Sequence, residues 1–147
     1  MKTDPVASTI PPSVPAEGFR QTRAARRSET AEDYVELIAD LIDARGAARA
    51  VDIAKHLGIT HASVASTVSR LQRDGLLKHQ PYRSIFLTEA GRGLAQTARR
   101  RHRLVVAFLR VLGLPEEIAE RDAEGIEHHV SEQTLEVFSR FVKSAGH

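Results

Sequence analysis

The stretch AARAVDIAKHLGITHASVASTVSRLQRDGLL, residues 47–77, holds two short helical patterns separated by Gly58-Ile59-Thr60. In the first, Val51, Ile53, Ala54 and Leu57 recur at helical spacing and are expected to face inward, with Gly58 ending the helix. In the second, Thr60 is placed to cap the N-terminus and Gly75 to close the C-terminus. Two short helices across a tight glycine-containing turn predict a helix-turn-helix. A step of about 100° per residue over positions 61–73 brings Val64, Val68 and Leu71 within about 60° of one another as the buried stripe.

The opposite face then carries Ala62, Ala65, Ser66, Ser69 and Arg73, with Arg70 at its margin. Small side chains suit a helix that enters a major groove about 12 Å wide. There the serines bond base edges or phosphates and the alanine methyls lie against thymine methyls. Arg70, Arg73 and Arg83 are suited to phosphates, contacts that set register without reading sequence. With Ser63 these residues form the candidate DNA-contacting set. Such a face also fits plain solvation, and the reading depends on what surrounds it.

Downstream, LLKHQPYRSIFLT (76–88) alternates through Ile85, Phe86 and Leu87 and predicts a two-stranded hairpin with PYRS near its tip, the wing of a winged helix. Upstream, SETAEDYVELIADLIDARG (28–46) is amphipathic, with Tyr34, Leu37, Ile38, Leu41 and Ile42 at three- and four-residue steps and Gly46 at the stop. From Arg49 to Arg100 nine Lys/Arg stand against three acids, a net of +6, whereas Arg101 to His147 holds six basic and eight acidic residues. A basic module joined to a mildly acidic one points to a polyanionic partner on one side and something cationic on the other.

Beyond the wing, TEAGRGLAQTARRRHRLVVAFLRVLG (88–113) predicts a long helix that opens on a Thr88 cap and turns apolar at Leu104, Val105, Phe108, Leu109 and Leu112. A helix from Pro115 through PEEIAERDAEGIEHHV and a last one, capped by Ser131 and carrying Leu135, Phe138, Phe141 and Val142 on one side, complete the pattern. The expected fold is mainly α. It comprises a disordered arm over 1–16, a winged helix-turn-helix over 17–93 and a helical unit over 94–147. Four of the six prolines lie in the arm, and the FRQTRAARR that follows is read either as the start of a helix or as a mobile basic segment.

The 147 residues, 41% hydrophobic and without Trp, give a globular composition whose core rests on Leu, Val, Ile and Ala. The absence of Cys excludes disulfides, thiolate catalysis and Cys-based zinc sites, so any metal is held by oxygen and nitrogen. No run approaches the roughly 18 apolar residues of a membrane span, and MKTDPVASTIPPSVP lacks a signal-peptide core, which predicts a cytoplasmic protein with no membrane partner.

The segment DAEGIEHHV (122–130) stands apart. On a helix Glu124, Glu127 and His128 fall at i, i+3 and i+4 and converge on one face, where two carboxylates repel unless a cation or proton intervenes. Gly125 within that helix costs about 1 kcal/mol relative to Ala and hints at a close approach or a distorted turn. His129 points elsewhere. The same triad also fits a solvated helix face, Thr30-x-x-Asp33 fits a capping box, and His102 fits a basic run.

EGFRQTRAARR, EDYVELIADLI, RAVDIAKHLGI, SVASTVSRLQRDGLL, FLTEAG, RRHRLVVAFLRVLG and above all DAEGIEHHVSEQTL resemble the manganese-responsive branch of the diphtheria-toxin-repressor family, metal-activated bacterial transcription factors. The resemblance covers about residues 17 to 145 and implies that the helical unit over 94–147 is a metal-binding and dimerisation domain. It implies metal ligands Asp33 and Glu36 from D-Y-V-E, His102 from R-H, and Glu124, Glu127 and His128 from E-G-I-E-H. It also implies Mn²⁺, two ions per subunit with a bridging Glu, in keeping with the preference of hard divalent ions for carboxylate and imidazole. The iron-responsive branch carries Met and Cys where Asp33 and Glu124 stand. The function implied is repression of manganese uptake genes by a metal-loaded homodimer on a palindromic operator in double-stranded DNA, without enzymatic activity or a small organic substrate. Three rival readings remain: a winged-helix regulator of a small organic ligand, an iron-responsive regulator, and a binuclear metallohydrolase.

Overall fold

The computed structural model describes residues 16–146. The expected arm, apart from Ala16, lies outside the described residues. Ala16 already belongs to the first helix, α1 (Ala16–Arg45), so the arginine-rich segment is helical and continuous with the amphipathic stretch behind it. Thr30 is therefore interior to a helix, and its hydroxyl donates to the carbonyl of Arg26 at 2.9 Å. This corrects the capping-box reading of Thr30-x-x-Asp33, because a cap needs a helix start and none occurs there. At the other end the Gly46 amide closes α1 on the Ile42 carbonyl at 2.8 Å.

The tight pair follows as α2 (Ala50–Leu57) and α3 (His61–Arg73). Gly58 between them takes a left-handed conformation, φ +66°, that side chains with a Cβ disfavour. Thr60 caps α3 by accepting from the Ser63 amide at 3.1 Å. Val64, Val68 and Leu71 are buried as the helical phase requires. On α2 only Ile53 and Ala54 go inward. Val51 faces the groove between α2 and the wing, and Leu57, the helix's last residue, stays open to solvent, so the expected four-residue inward face is narrower.

The wing is a hairpin of β1 (Leu77–Lys78) and β2 (Phe86–Leu87), antiparallel in the register Leu77 to Leu87 and Lys78 to Phe86. Ile85 extends it by a bridge to Ala48, whose carbonyl accepts the Ile85 amide at 2.8 Å. The wing is thereby tied to the link between α1 and α2. Tyr34, Val35, Leu37, Ile38, Leu41, Ile53, Val64, Val68, Leu71, Leu77, Ile85 and Leu87 close the first core, joined by Ala95 of the next helix.

That helix, α4 (Glu89–Val111), runs out of the first core and into the second. Its Thr88 cap accepts from the Gly91 amide at 3.1 Å while the hydroxyl donates to the Gly75 carbonyl at 2.6 Å, fastening the helix start to the end of α3. α5 (Glu116–Ile126) and α6 (Glu132–Ala145) pack on its far half. The small Ala119 and Ala123 let α5 approach Val105, Val106 and Leu109, and the Phe108 and Phe138 rings stack with centroids 3.8 Å apart.

α5 ends at Ile126, one turn short of the expected helix. Glu127 keeps helical dihedrals as the C-cap, and His128 and His129 occupy the turn beyond it. A Cβ added at Gly125 would meet nothing within 4 Å, so this glycine marks no close approach; its cost falls on a final turn that stops anyway.

Candidate metal centre and nucleic-acid interface

Three elements deliver the six side chains singled out in the sequence. α1 brings Asp33 and Glu36, α4 brings His102, and the last turn of α5 with its exit brings Glu124, Glu127 and His128. Asp33, His102, Glu124, Glu127 and His128 each lie within 4.0 Å of another member of the set where α1, α4 and α5 meet, and Glu36 is near enough for the charges of Glu127, Glu124 and Asp33 to act on it. Glu127, only 2% exposed, divides its two oxygens: Oε2 is 2.6 Å from His102 Nδ1 and Oε1 is 3.4 Å from His128 Nε2. Asp33 Oδ1 lies 3.2 Å from the same His128 Nε2, and Glu124 Oε1 lies 4.0 Å from His102 Nδ1. The unwinding of α5 after Ile126 turns the His128 ring toward α1.

The electrostatics of this cluster follow from crowding. Burial pushes the Glu36 carboxyl up to about 7, with the charges of Glu127, Glu124 and Asp33 adding to the shift. Glu36 Oε1 is buried and finds no hydrogen-bond partner among the described residues. Burial also raises Glu127, against the opposing pull of His102 and His128. The hydrogen bonds of His128 to Asp33 and Glu32 push its pKa up to about 10. For His102, burial lowers the pKa, but the bonds to Glu120 and Glu127 and the charge of Glu127 outweigh it. A buried orphan oxygen, a carboxyl whose charged form is penalised by burial and by its neighbours, and two imidazoles whose pKa values are raised by carboxylates describe a nest of negative charge suited to a cation. An all-oxygen and nitrogen donor set of this kind fits a hard divalent ion.

Several residues of the site went unread in the sequence. Glu32, 7% exposed, accepts from His128 Nδ1 at 2.5 Å and is itself held by Arg101 Nη1 at 3.2 Å. Glu120 sits 2.7 Å from His102 Nε2. Glu29, Asp33 and His128 offer ligand atoms all within 4.8 Å of one another, and Glu29 also lies 3.3 Å from exposed His129. The spacing of Glu120, four residues before Glu124, was the one available signal. Glu32 and Arg101 looked like ordinary polar neighbours of Asp33 and His102.

On the other module Ala62, Ser63, Ala65, Ser66, Ser69 and Arg73 of α3 are exposed, with Arg70 half-buried at the margin of that face. Ser63 is engaged with the cap, its hydroxyl accepting from Thr60 at 3.0 Å. Arg83 is exposed on the wing turn beside Tyr82, a residue at positive φ (+61°). α3 thus presents a smooth, small-residue surface next to basic groups, the shape and charge that a DNA groove accepts.

Comparison with known proteins adds two adjoining matches. Residues 27–85 match the family described as iron dependent repressor, N-terminal DNA binding domain, and residues 88–147 match iron dependent repressor, metal binding and dimerisation domain. The chain belongs to the diphtheria-toxin-repressor family of iron-dependent repressors. Within that family it is 53% identical over 130 residues to the transcriptional regulator MntR of Escherichia coli O6:H1, covering 88% of this chain and 84% of that one. It is 40% identical over 105 residues to the HTH-type transcriptional regulator MntR of Bacillus subtilis, 71% of this chain and 74% of that one. Among solved structures it resembles the manganese regulator SloR (27% identity, TM-score 0.67, 77% of this chain and 53% of that). It also resembles a manganese-dependent transcriptional repressor in complex with manganese (26%, 0.69, 77% and 52%). The chain spans about half the length of those two structures. Family membership accounts for both a reading helix and a carboxylate-imidazole cluster in one chain. Among the described residues no helix is long and apolar enough to cross a membrane.

Proposed function

We propose that this chain is a manganese-dependent DNA-binding transcriptional repressor that acts as a homodimer and silences manganese uptake genes when metal is bound. The supporting observation is the division of Glu127 between His102 and His128, at the junction of the helix that carries Asp33 and Glu36 with α4 and α5. Asp33, Glu36, His102, Glu124, Glu127 and His128 would hold the metal, two ions in each subunit, with Glu127 facing both imidazoles. A bound divalent cation supplies the positive charge that four crowded carboxylates lack.

The residues then act through the elements they ride on. α1 is packed into the first core beside the reading helix, whereas α5 and the far half of α4 form the second. Drawing Asp33 and Glu36 toward His102, Glu124, Glu127 and His128 therefore fixes the DNA-reading module against the dimerising one. The domain division follows α4, whose first turns serve the winged helix-turn-helix (17–93) and whose remainder opens the helical unit (94–147). In a dimer this fixes the separation of two α3 helices, and with it the half-site spacing of a palindromic operator. Ligand binding shifts the population toward that arrangement by its differential affinity for it. Ala62, Ser63, Ala65, Ser66 and Ser69 read the groove, and Arg70, Arg73 and Arg83 hold phosphates. Regulation by a small organic molecule or hydrolysis at a metal pair leaves either the charge cluster or the basic winged helix without a role.

Glu127→Ala is expected to leave the dimer intact and to abolish Mn²⁺-dependent operator binding, a loss of at least about 100-fold, because it removes a ligand on which both imidazoles converge. A mobility-shift titration with Mn²⁺ checks this. An unchanged metal dependence would overturn the assignment.

A further inference from the structure

His128 is placed unusually for a residue asked to hold a fixed orientation, since it stands in the turn after α5 and not in a helix. What holds its ring is on the other side. Glu32, the residue before Asp33, aims Oε2 at His128 Nδ1 from 2.5 Å, while Asp33 Oδ1 and Glu127 Oε1 face Nε2. Glu32 is 7% exposed, and a carboxylate so buried is costly unless paired. Its partner is Arg101, the residue before His102, with Nη1 at 3.2 Å from Glu32 Oε1 and Nη2 at 3.8 Å from Glu132 in the first turn of α6. A continuous chain of charge thus runs from α6 through α4 and α1 to the outer nitrogen of His128.

Resting on the function proposed above, we infer that Glu32, clamped by Arg101, is a positioning residue for the metal centre. It accepts the Nδ1 proton of His128, fixes the tautomer and leaves Nε2 as the donor beside Asp33 and Glu127. An imidazole ligand presents one bare nitrogen, and a carboxylate on the other both orients the ring and increases its basicity. His102 has a weaker counterpart: its outer nitrogen meets Glu120 at 2.7 Å, but the Glu120 side chain is 51% exposed, and water replaces it readily. The two adjacent pairs, Glu32-Asp33 on α1 and Arg101-His102 on α4, therefore each place one supporting residue next to one ligand.

The test is Mn²⁺ binding to the full chain by calorimetry, for wild type, Glu32→Ala, Glu32→Gln, Glu120→Ala and Glu127→Ala. Glu32→Ala is expected to weaken Mn²⁺ binding by about 10–100-fold, the range found when an outer partner of a ligating histidine is lost. Glu32→Gln keeps a neutral acceptor and recovers part of that loss, and it serves as the probe should the alanine variant not fold. Glu120→Ala is expected to change affinity by less than either. With Cd²⁺ as a diamagnetic probe, ¹⁵N correlation spectra are expected to show the proton of His128 on Nδ1 in wild type and a mixed or reversed tautomer in Glu32→Ala, a change that a purely packing role would not produce. Wild-type affinity and an unaltered tautomer in Glu32→Ala, alongside lost binding in Glu127→Ala, would overturn the inference while leaving the metal site standing. Failure of wild type to take up Mn²⁺ would overturn both.

Discussion

Glu36 and His128, two of the proposed ligands, show at the scale of single residues how tightly the cluster holds its protons. Each holds its proton more tightly in the fold than its free value of 4.5 or 6.5: burial and like charges move Glu36 to about 7, and the bonds to Asp33 and Glu32 move His128 to about 10. Stability from a raised pKa is fully present below the unfolded value and is lost as pH rises through the folded one. The metal-free protein is therefore expected to lose melting temperature as pH rises, first through Glu36 between 4.5 and about 7 and then through His128 between 6.5 and about 10. If the proposed ligand set holds Mn²⁺, the increment that the ion contributes should grow over the same interval, because those groups must shed protons to bind. Thermal melts in chelator and in Mn²⁺ across that range check both slopes, and a metal-free melting temperature that climbs with pH would contradict this electrostatic account. Of the cluster, only the convergence of Glu124, Glu127 and His128 was readable in DAEGIEHHV, and it fitted a solvated helix face equally; Asp33, Glu36 and His102 were implied by the family resemblance. Glu32 and Arg101 were not legible, because a supporting role depends on which neighbour a side chain reaches across the fold.

At the scale of elements, the start of α4 decides how the wing passes into the long helix. A Cβ on Gly91 would stand 2.0 Å from the Leu76 carbonyl oxygen, a backbone atom that cannot swing aside. Gly91→Ala is expected to destabilise the protein by about 1–3 kcal/mol, the usual cost of overpacking, lowering the urea midpoint without altering the slope. A midpoint equal to that of wild type would mean that α4 shifts freely there. The caps at Thr60, Thr88 and Ser131 were legible, because a hydroxyl that accepts from the amide three residues on is a local event. The start of α1 and the end of α5 were not. The amphipathic signal begins near Tyr34, but α1 starts at Ala16, since the arginine-rich segment is sufficiently helix-forming to continue it without any apolar stripe. α5 lets go after Ile126, where Glu127 and His128 find partners on α4 and α1 that offset the lost helical turn.

For the whole molecule, two cores share one helix, and the second leaves an apolar face uncovered. Val111 and Leu112 at the end of α4 and Val137 and Phe141 on α6 are large and exposed, in the part of the chain that matches a dimerisation domain. A second copy is the occupant proposed for this face, and two-fold symmetry counts each contact twice. Phe141 is 46% exposed and meets Phe108 in a T-shaped pair with centroids 5.7 Å apart, so Phe141→Asp is expected to spare the fold while weakening the dimer by more than about tenfold. Sedimentation of the variant across a concentration series checks this, and an undiminished dimer would place the interface elsewhere. By itself the sequence determined the winged helix-turn-helix, its buried stripe and the helix caps, because helical phase, turn chemistry and capping act over a few residues, whereas the proposed ligand set came from the family resemblance. Only the tertiary structure decided that Glu127 serves both imidazoles, that His128 turns toward α1, and that Glu32 and Arg101 stand behind it. Those contacts join segments up to 96 residues apart, and distances across such gaps are set by how helices pack and end, which no local spacing encodes.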